Sequence, residues 1–120
     1  MAFYEYETVA ITTATDGSAT VYTDNVYNGN VKVIQYTKGT LATTADLTIT
    51  ADNTGLPILT KANATASENF FPVQPADVVA DGTASSLTEV SPVLVDERIK
   101  IVVAQGGNTA AGSITVIVGG

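Results

Sequence analysis

The chain has no cysteine, no histidine and no tryptophan, and sets only five basic residues against twelve acidic ones in 120. Each absence removes a class of function. Without Cys there is neither a disulfide framework nor a thiolate, and without His the side chain that most often serves as general base or transition-metal ligand is gone. A serine or threonine nucleophile would then need a lysine or an N-terminal amine as its base. Lys61 and Lys100 lie in strand-like segments with no Ser-x-x-Lys spacing. The five cations (Lys32, Lys38, Lys61, Arg98 and Lys100) are scattered, so a net charge of −7 argues against a nucleic-acid partner. No apolar run reaches membrane-spanning length, and no basic and apolar leader opens the chain. The expectation is a protein made in the cytoplasm with no membrane partner.

What is present is a single domain's length of β-forming sequence. Apolar residues make up 45% of it, but many are Ala and Val and aromatics are only 7%, which implies a thin core of small side chains. Such a core leaves self-association or docking on a larger body to supply part of the stability.

Residues 8–13 alternate with period two, Asp16-Gly17 supplies a turn, and residues 19–23 alternate again, which predicts a hairpin with Val9, Ile11, Val21 and Ala19 inward. Asn28-Gly29-Asn30 punctuates the chain before a strand over 31–37. That strand carries Val31 and Val33 on one face and Ile34 and Tyr36 on the other, the pattern of a central strand. Residues 46–51 alternate, Asp52-Asn53-Thr54-Gly55 turns, and Pro57 makes the next strand an edge or a strand start. From 62 to 90 prolines and Asp-Gly break the pattern into long, partly extended loops, with at most one short helical turn at 62–68 or 75–80 and an apolar knot at 69–73. Residues 97–104 and 113–118 read as a second hairpin around a glycine-rich loop. The fold class is therefore all-β: a single-domain antiparallel β-sandwich or small, jelly-roll-like barrel over 8–120, with little helix and an N-terminal arm at 1–7.

Few motifs survive weighing. The loop 105–113 spaces Gly107 and Gly112 like the two glycines of a phosphate-binding loop, but it lacks the lysine and leads into a strand rather than a helix. Asp16, Asp24, Asp46, Asp52, Asp77, Asp81, Asp96 and Glu97 lack the grouping of a calcium loop and suit turns instead. Asn63-Ala64-Thr65 is formally a glycosylation acceptor without a secretory leader to bring it to that chemistry. Phe3, Tyr4 and Tyr6, interleaved with Glu5 and Glu7, support two readings. Either Phe3 starts an edge strand with its ring in the core, or the arm docks on a neighbouring protein as an added strand or an aromatic plug. Phe70 and Phe71 are the matching aromatic pair in the long loop region. No catalytic residue, cofactor site or metal site is assigned.

Taken together, residues 33–39 (VIQYTKG), 46–50 (DLTIT), 55–61 (GLPILTK) and 97–107 (ERIKIVVAQGG) resemble small structural proteins of tailed bacteriophages. The resemblance implies a non-enzymatic virion component of the capsid decoration, or cement, type. It would bind the major capsid protein on the outer surface of a head and self-associate, with a trimer favoured. The acidic balance agrees with a place away from packaged DNA. A tail or fibre-associated protein and a microbial surface adhesin or carbohydrate-binding module are the alternatives, and the docking groups would be Phe3, Tyr4, Tyr6, Phe70 and Phe71.

Overall fold

Alternation of apolar and polar residues specifies most of the strands, and their pairing specifies the architecture. The computed structural model describes residues 4–72 and 91–119. Nine strands run in chain order: β1 (Tyr4–Thr12), β2 (Ala19–Tyr22), β3 (Tyr27–Thr37), β4 (Asp46–Ala51), β5 (Pro57–Lys61), β6 (Glu68–Phe70), β7 (Val93–Glu97), β8 (Ile99–Ala104) and β9 (Ala111–Gly119). All pairings are antiparallel. One sheet has the order β1-β9-β3-β6, with β7 also on β3, and the other has the order β2-β8-β4-β5.

The two orders are the same order read twice. β1 continues into β2, β3 into β4, β5 into β6 and β8 into β9, so each strand of one sheet is prolonged by the matching strand of the other. Register carries across the bend. Thr37 faces Ser113 in the first sheet and Asp46 faces Ala104 in the second without a slip, and Thr12 facing Ala111 passes to Ala19 facing Val103 with a slip of one residue. The sandwich is thus a single four-stranded sheet folded over on itself, and its inner surface is the core.

This geometry corrects both hairpins expected from the sequence. β1 pairs with β9 and β2 with β8, so neither 8–13 with 19–23 nor 97–104 with 113–118 forms a ladder. The turn at Asp16-Gly17 does form: Ser18 donates from its amide and hydroxyl to Asp16 Oδ1 at 3.0 and 2.7 Å. It serves as the corner of one bent strand, held against the glycine-rich corner of its partner by Gly106 N–H donating to Gly17 O at 2.8 Å. Turn chemistry reports a reversal of the chain locally and carries no information about which strands the flanks will pair with.

β3 supplies a second correction. Asn28-Gly29-Asn30 lies inside it, and register shifts between Tyr27 and Gly29 and between Val31 and Val33 bulge the strand. The bulge at Lys32 changes the parity, so Val31, Ile34 and Tyr36 all point into the core while Val33 faces out. The core is also less sparse than the composition implies. Ile11, Ile34, Tyr36, Leu41, Leu47, Ile49, Ile99, Ile101 and Ile114 are fully buried in it.

Two further strands went unread. β6 lies in the stretch taken as loops, and β7 precedes the strand expected from 97. No helical turn forms over 62–68, and the possible turn at 75–80 lies outside the described residues. β6 and β7 run along one edge of β3, Phe70 opposite Ile34 and Val93 opposite Asn30.

Candidate interaction surface

Among the described residues only Thr13, Thr23 and Glu97 are buried and polar, and each stands at a bend where the ladder breaks. Thr13 Oγ1 donates to Gly107 O at 2.6 Å and accepts from Ala110 N at 2.8 Å. Thr23 Oγ1 donates to Asn25 O and accepts from Ile99 N. In both cases a hydroxyl replaces a missing strand partner. Glu97, 2% exposed, makes no ion pair among the described residues. Its carboxylate accepts from the amides of Asn53 (2.9 Å), Thr54 (2.8 Å) and Val95 (3.0 Å) and from the Thr54 hydroxyl. Burial pushes its pKa up, but the hydrogen bonds from Thr54, Val95 and Asn53 outweigh that and hold it below the usual glutamate value.

Glu7 performs a similar tie for β1. It accepts from the amides of Asp24 and Asn25 at 2.5 and 3.2 Å, from Asn25 Nδ2 at 3.1 Å and from the Tyr27 hydroxyl at 2.7 Å. Burial and the Glu7 contact push Tyr27 up to about 12. The carboxylates with the most hydrogen bonds are therefore structural, and among the described residues no three His, Cys, Asp or Glu side chains group as a metal site.

The expected N-terminal arm is in part a strand. Residues 4–7 belong to β1 and pair with β9, Tyr4 opposite Gly119 and Glu7 opposite Val116; Phe3 lies outside the described residues. Tyr4 and Tyr6 project outward, 64% and 75% exposed. Phe70 and Phe71 divide by strand alternation: Phe70 is half-buried against the core, whereas Phe71 is 70% exposed. Both line a cavity of about 460 Å³ with Pro57, Ile58, Leu59, Thr60 and Pro72, and among the described residues no charged side chain lines it.

Register gathers residues distant in sequence onto the outer surface of the first sheet. One row across it is Tyr4, Gly119, Asn30 and Val93; the next is Tyr6, Ile117 and Val33. A third is Thr8, Thr115, Gln35 and Asn69, and a fourth is Ala10, Ser113 and Thr37. Tyr4 lies on the backbone of Gly119, where an added Cβ would stand 2.8 Å from Tyr4 Cε1 and 3.2 Å from Lys32 Cε. None of these outward positions carries a carboxylate, although the chain has twelve. The outer surface of the second sheet differs: it presents Thr20, Val102, Thr48 and Thr60 in one row and Tyr22, Lys100, Thr50 and Pro57 in the next. Arg98 closes that sheet's margin, bonded to Asp52 at 2.8 Å with its guanidinium 3.9 Å above the Tyr22 ring.

Fold and surface together describe an all-β body whose most hydrogen-bonded carboxylates are structural and whose first sheet has a charge-poor outer face with Tyr4 and Tyr6 exposed on it. No protein-family model matches the sequence, and no curated protein does. Among solved structures the fold is similar to that of a chain in a cyanophage Pam1 capsid asymmetric unit. The likeness covers 98% of this chain and 82% of that one at 19% identity, with a TM-score of 0.52. At that identity the likeness is one of fold.

Proposed function

We propose that this chain is a non-enzymatic virion structural protein, and specifically a capsid decoration protein that binds the outer surface of a phage head and strengthens contacts between capsid subunits. The observation that carries the reading is the match of nearly the whole chain, 98% of it, to a chain from a phage capsid assembly. The charge supports the outer location. Packaged DNA is a dense polyanion, and a body of net −7 is repelled from the interior and tolerated outside. The partner is the major capsid protein, and the chain self-associates, with a trimer favoured. Tyr4, Tyr6 and Phe71 supply protein–protein contact, while the half-buried Phe70 anchors its own edge strand. Mixing the purified protein with heads and with tails of its phage, followed by gradient sedimentation, tests the assignment. Recovery with heads at a fixed ratio to the capsid subunit is expected. Recovery with tails alone would move it to the tail or fibre class, and recovery with neither would reject a virion role.

A further inference from the structure

The folded sheet has two margins, and the molecule guards only one of them. On the margin made by β5, β6 and β7, β5 begins at Pro57, slips register opposite Ile49 and Thr50 and ends at Lys61, while β6 and β7 have three and five residues. Proline, bulges, lysine and short strands are the devices that keep an edge from pairing with another chain. The opposite margin has none of them along its longest strand. β1 runs nine residues from Tyr4 to Thr12, pairs with β9 at every position without a slip, and contains neither proline nor lysine. In an antiparallel ladder alternate residues turn their N–H and C=O away from the partner. On β1 those outward groups make no backbone hydrogen bond among the described residues.

Charge sets what an added strand must carry. Between Tyr4 and Val31 the chain has four carboxylates, Glu5, Glu7, Asp16 and Asp24, and no lysine or arginine; all five cations lie at Lys32 or beyond. Two of the four stand on β1, one at the corner between β1 and β2 and one just after β2, so all follow this margin. Glu7 is held by Asp24, Asn25 and Tyr27, and none of the four makes an ion pair among the described residues. Lys100, on β8, and Lys32, on β3, lie one and two strands in from the edge, and Arg98 is paired with Asp52. A second copy would bring the same carboxylates to the seam with no cation to meet them. The complement is therefore an extended segment of another protein that bears lysine or arginine.

From these observations we infer that the free edge of β1 accepts a basic, extended segment of a partner protein as an added strand. Main-chain hydrogen bonds supply the affinity, and the carboxylates along the margin select the charge. The inference stands apart from the capsid assignment, because it uses the backbone edge and the carboxylates rather than the exposed rings, and its test contains no capsid. Amide hydrogen exchange of the purified chain is measured with three synthetic peptides of about ten residues, long enough to span β1. One alternates valine and lysine, one alternates valine and glutamate, and one keeps the lysines with proline in place of each valine. The valine–lysine peptide at roughly 1 mM is expected to slow exchange at alternate amides of β1 about tenfold, which corresponds to a Kd of about 0.1 mM. The glutamate and proline peptides are expected to leave those amides unchanged. Glu5→Lys should weaken the protection, and Glu68→Lys, on the guarded margin, should not. Equal protection by the proline peptide would reduce the effect to charge alone, and equal protection by the glutamate peptide would remove the selection by charge. Protection confined to β5 and β6 would move the site, and protection that rises with protein concentration without peptide would give the edge to a second copy. Each of these results, or no protection at all, would overturn the inference.

Discussion

Glu97 shows at the residue scale how this protein uses its few buried polar groups. A carboxylate 2% exposed and without an ion pair among the described residues is tolerable because three amides and a hydroxyl surround it. Glu97→Ala leaves those donors facing an apolar methyl and is expected to cost about 3 kcal/mol in urea unfolding. The pH dependence has a definite sign. A folded-state pKa below the ordinary glutamate value means the contribution is complete above that ordinary value and is lost as pH falls through the lower, folded one. Glu97→Gln is therefore expected to flatten the acid limb of the stability curve; an acid limb as steep as in the wild type would contradict this. Sequence inspection found the carboxylate but not its role, because Asn53 and Thr54 come from a turn more than forty residues away. Thr13 and Thr23 were hidden for another reason. In a threonine-rich chain a buried hydroxyl looks like any strand surface residue.

The bend is the unit that matters among the elements. Four strands turn the same corner, and the edge corner between β1 and β2 meets the inner corner between β8 and β9 where Gly17 and Gly106 touch. Gly17 has φ 85°, and an added Cβ would stand 3.0 Å from Gly106 N. Gly17→Ala is thus expected to combine backbone strain with a steric clash and cost about 2–3 kcal/mol. Gly55, at φ 74° in the turn after β4, has nothing within 4 Å of the added carbon, so Gly55→Ala should cost about 1 kcal/mol. Urea midpoints of the two variants check the difference, and equal losses would mean that the corner contact is unimportant. Strand positions were readable wherever alternation was clean, as in β4, and Pro57 marked β5 as an edge. The three-residue β6 and the bulged β3 were not readable, since one is too short for a period and the other changes parity midway.

Across the whole molecule the chain closes on itself from its ends inward: Tyr4 pairs with Gly119, Tyr22 with Lys100 and Asn30 with Val93. Nearly every ladder therefore joins residues far apart in sequence, and loop closure precedes most of the stabilising contacts. Refolding from urea is expected on the order of milliseconds to seconds, and a microsecond phase carrying the full amplitude in stopped-flow mixing would contradict this topology. The amino-acid sequence by itself determined the all-β class, the alternation that marks most strands, the edge position of β5 and the absence of cysteine and histidine chemistry. These follow from properties each residue carries locally. Only the tertiary structure decided that two apparent hairpins are the bent strands of one folded sheet, that residues 4–7 are strand, and that a face without carboxylates emerges from an acidic chain. Backbone donors and acceptors are chemically the same in every strand, so partner and register are selected by how the whole set of side chains packs, and a surface assembled from four distant segments exists only once that selection is made.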